Sequence, residues 1–242
     1  MSKTVSEMQG LTVVIPVFKE DPSIIIRQYI ALTNKGAEVI VVDDGNTVDL
    51  PDWFNEISYM PNMGYGYAIK RGIEKATNPN IMVMDGDGQH TFSDAQKLWK
   101  VFNMIDNCAM LVGSRWNLNE KPIRWIGRKC LNFFASCLAG HYLVDLNSGM
   151  RVFRRELAIG YSNILCDTFS FTTSLTMSVV ADGHKVAYFP IDVQPRVHGK
   201  SHVRVVKDGF VTLFYIIWIG LAMRTRGIRE WIRNLRGLVT RN

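Results

Sequence analysis

At 242 residues and 47% hydrophobic content, the chain is long enough for one large domain with its own core and too short for two generous ones. Basic residues outnumber acidic ones 28 to 22, a net charge of +6, and much of the excess lies after Met223. The four cysteines (Cys108, Cys130, Cys137, Cys166) form no CxxC pair and each lies in an apolar run, so reduced, buried thiols in a cytosol-facing protein are expected.

Met1 to Gly10 is polar, so the first apolar run, Leu11 to Val17, reads as a strand and not as part of a signal peptide. A second β-branched run, Ala37 to Val42, follows a segment of helical spacing from Ile24 to Leu32 that is stopped by Gly36. Together they make a βαβ unit. A helix from about Tyr67 to Ala76 leads into a strand, Ile81 to Met84, that runs directly into Asp85. Ser93 and Gln96 read as a capping box ahead of Leu98, Val101, Phe102 and Ile105, and Cys108 to Val112 is the next strand. Alternation of this kind predicts an α/β fold, a mostly parallel sheet flanked by helices on both faces.

In such sheets ligands bind beyond the carboxyl ends of the strands. Those ends here carry Pro16 to Glu20, Asp43-Asp44-Gly45, Asp85-Gly86-Asp87-Gly88-Gln89 and Gly113-Ser114-Arg115. Two aspartates one residue apart after an apolar strand need water or a cation. Asp85 and Asp87 can turn both carboxylates to one ion across a glycine-assisted bend, with Gln89 adding a neutral oxygen, a donor set suited to Mg2+ or Mn2+. The plainer alternative is a turn and nothing more, since Asp and Gly are the usual turn formers. A calcium loop of the EF-hand kind would need further acids after Gly88 and a helix before Asp85, and the sequence has neither. The five histidines show no zinc-ligand spacing.

Five segments in order resemble the signature of family 2 glycosyltransferases, and within them the dolichol- or polyprenyl-phosphate mannose synthase branch. They are Val14 to Glu20, Val42-Asp43-Asp44-Gly45-Asn46-Thr47, Asn62-Met63-Gly64-Tyr65-Gly66-Tyr67-Ala68, Met84 to His90, and Asn147-Ser148-Gly149-Met150-Arg151. The resemblance spans roughly Leu11 to Lys207 and implies a GT-A, Rossmann-like domain over residues 1–205. It also implies that Pro16, Phe18, Glu20 and Asp44 surround the base and ribose of a nucleotide-sugar donor. By the same resemblance Gly64 and Gly86 would bind the donor, and Asp85, Asp87 and Gln89 would hold the metal. Phe18 stands where Tyr is usual, Asn46 where Ser is usual and Met150 where Phe is usual. Gly64 and Gly66 do not make a dinucleotide fingerprint, because Ile69 replaces the third glycine and the first βα turn has none.

A hydroxyl acceptor would need a positioned general base, whereas a phosphate acceptor is already an anion and needs cations to steer it. Arg115, Arg128, Arg151, Arg196 and Lys200, with Ser148 and Ser201 as hydroxyl donors, are the candidates. The segment Arg196 to Ser201 resembles the RxxGKS loop of the polyprenyl-phosphate branch; a solvated basic loop is the alternative. Asp145 is open to three readings, as metal ligand, loop anchor or base, and Asp167 is the better base if the acceptor is a hydroxyl.

Phe210 to Met223 is an apolar run of about fourteen residues, short of the roughly twenty needed to span a bilayer. Beyond it Ile228, Ile232, Leu235 and Val239 recur at helical spacing beside Arg229, Arg233, Arg236 and Arg241. Residues 206–242 are therefore expected to be apolar and basic amphipathic helices on a membrane surface, with a core helix and a solvated tail as the alternative. Trp125 to Leu138 is a second candidate for the lipid-facing surface. The sequence thus points to an inverting hexosyltransferase, peripheral on the cytoplasmic face of a membrane, acting on GDP-mannose or UDP-glucose with a polyprenyl phosphate acceptor and no nucleic acid partner. Rivals are a family 2 enzyme acting on a saccharide or protein hydroxyl and a non-catalytic nucleotide-sugar-binding subunit.

Overall fold

A computed structural model describes residues 7–115, 122–195 and 209–222, the side chains of residues 122–124 excepted. Seven strands form one sheet in the order β3-β2-β1-β4-β6-β5-β7. They are β1 (Leu11–Val17), β2 (Glu38–Asp44), β3 (Glu56–Tyr59), β4 (Asn80–Val83), β5 (Cys108–Arg115), β6 (Arg151–Arg154) and β7 (Lys185–Ile191). β1 pairs in parallel with β2 and β4, as do β2 with β3 and β5 with β7. Only β6 runs antiparallel, between β4 and β5. The sheet is mixed and mostly parallel, as expected.

Helices α1 (Pro22–Thr33), α2 (Tyr65–Lys75), α3 (Phe92–Met104), α4 (Pro122–Ala139), α5 (Arg155–Gly160), α6 (Phe171–Ala181) and a last helix, α7 (209–222), cover it. The strands β1 and β2 are buried along nearly their whole length, which is why they read as unbroken apolar runs with no polar alternation. Two cores lie on opposite faces. One gathers Val13, Ile15, Val39, Val41, Met82 and Leu98 under α1 and α3; the other gathers Val14, Ile40, Ile69, Ile81, Phe153 and Leu175 under α2 and α6. At Gly72 the helix α2 meets the sheet so closely that an added Cβ would lie 2.4 Å from Val14. A third, smaller core joins α4, α6 and α7 through Ala135, Leu143, Met177, Ile216 and Ile219.

Three expectations change. The cap of helix α3 lies two residues before Ser93, at Thr91, whose hydroxyl oxygen accepts from the Asp94 amide at 3.0 Å while the hydroxyl donates to the Asp94 carboxylate at 2.7 Å. The capping pair is Thr91–Asp94, three residues apart. Strand β6 reverses direction within the parallel set. Of the four free cysteines, Cys108 and Cys166 are buried but Cys130 and Cys137 are exposed, since both lie on the outer side of α4.

Candidate active site

The site assembles where β1, β2, β4 and β5 end, and at β2, β4 and β5 a carboxylate ties down the chain. At the end of β2, Asp43 is wholly buried and accepts from the Thr47 amide at 2.6 Å, the Thr47 hydroxyl at 2.9 Å and the Val48 amide at 2.7 Å. Its neighbour Asp44 accepts from the Asn62 side chain at 2.8 Å and from the amides of Met63 and Gly64 at 2.6 and 2.8 Å. Asp44 therefore builds the loop ahead of α2 and spends most of its acceptor capacity there. Gly64 has φ +109°, and an added Cβ would fall 2.6 Å from the Asp167 carbonyl oxygen, so glycine is required on both counts. Phe18 packs over Gly45. Its ring lies 3.2 Å from the place where a Cβ on Gly45 would be, with the Lys19 ammonium 5.1 Å above the ring. Pro16 is buried in β1, and Glu20 is half-buried one turn before α1.

The acidic loop follows β4. Asp85 accepts a hydrogen bond from the Tyr65 hydroxyl at 2.8 Å on Oδ1, and its Oδ2 lies over Gly149, where an added Cβ would be 2.4 Å away. The backbone amide of Asp85 donates to His90 Nδ1 at 3.2 Å, which places the imidazole proton on Nε2. Gly86 is packed against Val17, 2.6 Å from where its Cβ would be. Asp87 is buried and accepts from the Gln89 amide at 3.0 Å in an Asx turn. The Gln89 side-chain nitrogen donates to the Gln194 carbonyl at 3.3 Å, leaving Oε1 as its acceptor. Among the described residues no three His, Cys, Asp or Glu side chains cluster as a ready-made metal cage. Two carboxylates and an amide oxygen on one loop nevertheless fit Mg2+ or Mn2+, which take the rest of their shell from water and phosphate.

At the end of β5, Arg115 makes a bidentate pair with Asp145, at 2.9 Å from Nε and 2.8 Å from the terminal nitrogen, and its amide adds a third contact at 3.2 Å. Burial pushes the Asp145 carboxyl upward, but the Arg115 charge and hydrogen bonds, helped by Arg128, outweigh it and hold the group below its ordinary value. Asp145 is thus the anchor of the Asp145–Arg151 segment. That segment touches both halves of the site, with Asp145 on Arg115 and Gly149 under Asp85. Arg128 is half-buried on α4.

Two expected phosphate contacts lie elsewhere. Arg151 is wholly buried, and all five of its N–H groups are used: on the carbonyls of Ser148, Leu146 and Thr172 and on the Thr176 hydroxyl. It opens β6 with its side chain inward and bolts the 146–148 turn to α6; burial lowers its pKa to about 10, leaving it charged at neutral pH. Ser148 is also buried, its hydroxyl donating to the Gly113 carbonyl at 2.5 Å. Both brace the site from behind. Arg196, Lys200 and Ser201, and the basic tail from Ile228 to Arg241, lie outside the described residues. Asp167 faces a partner too: its carboxylate is ion-paired with Lys70, and its carbonyl accepts from the Tyr67 amide at the start of α2.

Tyr65 is the residue at the site to which the sequence assigned no role. Its ring stacks on Phe169, centroids 5.5 Å apart and planes 21° from parallel, and its hydroxyl spans the gap between α2 and the acidic loop. The one available signal was its place inside the Asn62 to Ala68 segment.

The family model described as glycosyl transferase family 2 matches residues 12–161. A polyprenol monophosphomannose synthase of Mycolicibacterium smegmatis is 26% identical over 223 residues, covering 82% of each chain. A human dolichyl-phosphate beta-glucosyltransferase is 26% identical over 203 residues, covering 70% of this chain and 63% of its own. Among solved structures, glucosyl-3-phosphoglycerate synthase from Mycobacterium tuberculosis, in complex with Mn2+, UDP-glucose and phosphoglyceric acid, superposes with a TM-score of 0.70. It is 14% identical and covers 90% of this chain and 82% of its own, a likeness of fold.

Proposed function

Because the chain belongs to glycosyl transferase family 2, with a GT-A fold and hexosyltransferase relatives, we propose that it transfers a hexose from a nucleotide sugar to a polyprenyl phosphate with inversion at the anomeric carbon. Mannose from GDP-mannose is favoured over glucose from UDP-glucose, since the motif pattern is nearest that of mannose synthases. The observation that carries the acceptor assignment is that both carboxylates considered as a general base already face a cation, Asp145 in a buried bidentate pair with Arg115 and Asp167 in a half-exposed ion pair with Lys70. A phosphate nucleophile needs no base, and direct displacement by its oxygen inverts the sugar.

Asp85, Asp87 and Gln89 would hold the divalent cation, Mg2+ or Mn2+, and when bound it neutralises the diphosphate as charge builds on the leaving group. Phe18, backed by Gly45, and the loop pinned by Asp44 form the wall on which the nucleotide lies. Pro16 and Glu20 complete the surround of the base and ribose. Arg115 and Arg128, beside Asp145, supply positive charge on the acceptor side, with Arg196 and Lys200 assigned to the same task. Domain limits of 1–205 for the catalytic unit and 206–242 for a membrane-associated appendage are part of this reading, as is a peripheral position on the cytoplasmic face. What supports the surface placement is that Phe133, Phe134, Phe210 and Phe214 all point outward from α4 and α7.

The test is incubation of the purified chain and Mn2+ with labelled GDP-mannose or UDP-glucose, with and without polyprenyl phosphate. Label extracted into organic solvent only when the lipid is present is the expected result. Label found solely in a water-soluble product would refute the acceptor assignment.

A further inference from the structure

The geometry assigns Tyr65 as a positioning residue for Asp85, one that sets the carboxylate's direction before the cation arrives and so governs divalent-metal affinity. The assignment rests on the donor half of the proposed function, the binding of a cation by the acidic loop.

A lone carboxylate between two glycine-bearing turns has little to hold it. Asp85 is followed by Gly86, and Gly88 has φ +79°, so the loop itself imposes no rotamer on the side chain. On the Gly149 side there is only bare backbone, which permits the carboxylate without fixing it. The Tyr65 hydroxyl, 2.8 Å from Oδ1, is the side-chain hydrogen bond that does fix it. It takes one lone pair of Oδ1 and leaves Oδ2 and the remaining pair for a cation.

Tyr65 is itself held from three sides. Its ring rests on Phe169. The Asp167 carbonyl accepts from the Tyr67 amide, and Gly66 lets the Cys166 carbonyl approach to 2.1 Å from where a Cβ would stand. The first turn of α2 is thereby clamped to the 166–171 segment, and the hydroxyl is presented to the acidic loop by a rigid base. Partners of this kind, hydrogen-bonded to a metal ligand from outside, commonly change metal affinity by about 10- to 100-fold.

The experiment is a Mn2+ titration followed by electron paramagnetic resonance, with GDP and separately UDP present, on the full chain and on Tyr65→Phe. Phenylalanine keeps the stack on Phe169 and deletes only the hydroxyl. Weakening of Mn2+ binding by about 10-fold or more is expected, with an unchanged melting temperature. Tyr67→Phe serves as comparator, because that ring packs edge-on against Tyr59, whereas the hydroxyl on Asp85 is that of Tyr65. In an Asp85→Asn background the Tyr65→Phe change should add little, since both then act through one interaction. Equal Mn2+ affinity in the parent and Tyr65→Phe overturns the positioning role while leaving the donor site in place. A parent chain that binds no Mn2+ with either nucleotide overturns both. A uniform loss in Tyr65→Phe and Tyr67→Phe, with lowered melting temperatures, overturns it in favour of a general packing effect.

Discussion

Asp85 and Gly149 share one space: the Oδ2 of the aspartate lies 2.4 Å from where any larger residue would carry its Cβ. Gly149→Ala is therefore expected to push the carboxylate aside. The atom in conflict is the end of a side chain, so the backbone need not move. Mn2+ affinity should fall by at least about 10-fold while the melting temperature shifts by no more than a few degrees. Calorimetric titration with Mn2+ and nucleotide, set beside a thermal melt, measures both; unaltered metal binding would show that Asp85 does not serve the cation from this position.

Deleting a carboxylate from the acidic loop tests the loop itself. Asp85→Ala and Asp87→Ala should each reduce transfer by at least about 100-fold, the scale seen when a group that stabilises developing charge is removed. Both should fold, because the loop lies beyond the carboxyl end of β4 and the buried strand itself is untouched. Single-turnover assays with labelled donor at saturating Mn2+ measure the loss. A fully active Asp87→Ala would return the Asp-Gly-Asp-Gly segment to a mere turn.

The pair between Asp145 and Arg115 makes a pH prediction. Asp145 has its folded pKa depressed below 3.8 by Arg115 in spite of burial. Its contribution is thus present in full above the unfolded value and is lost as pH falls through the folded one. At pH 7, Asp145→Asn should cost about 3 kcal/mol, as breaking a buried pair does, or about 6–12 °C in melting temperature for a chain of this size. The gap between parent and variant should close progressively below pH 3.8. Melts across pH 2 to 8 test it, and a gap independent of pH would mean that packing, not charge, carries the effect.

Periodicity located β1, β2, β4 and β5 because buried parallel strands are apolar throughout, and their polar ends marked the site. It did not find β6, whose four residues carry an arginine at each end. The first of these, Arg151, shows where residue type misleads: beside Gly149 in a polar segment it reads as a surface cation, yet it is buried. The missing clue lay 20 residues on, in the serines and threonines of Phe171-Thr172-Thr173-Ser174-Leu175-Thr176, a helix whose buried face offers oxygen to a guanidinium. Such long-range pairing has no local signature. Tyr65 was hidden in the same way, its aromatic ring explaining its burial and its hydroxyl needing the fold to find Asp85. The tie of Asp44 to Asn62, 18 residues away, is likewise invisible before the sheet is assembled.

Helix α7 has two faces. Ile216 and Ile219 are buried against α4 and α6, whereas Phe214 is 61% exposed and stacks on Trp218 with their planes 7° apart. Aromatic side chains held outward on a packed helix are a cost in water and a gain at a lipid interface, where each contributes about 1.5–3 kcal/mol on burial. Replacing both, Phe214→Ser with Trp218→Ser, should lower partitioning into vesicles of anionic phospholipid by at least about 100-fold. The melting temperature should hold, since neither side chain fills the core. Transfer to a short, water-soluble prenyl phosphate should also be preserved, because the donor loop and Arg115 are unchanged, while transfer to a long-chain acceptor in vesicles falls. Sedimentation with vesicles gives the first measurement and the paired assays the second. If the double variant sediments like the parent, the aromatic face of α7 is not the membrane contact and the binding energy must come from α4 or from the basic residues beyond Met223.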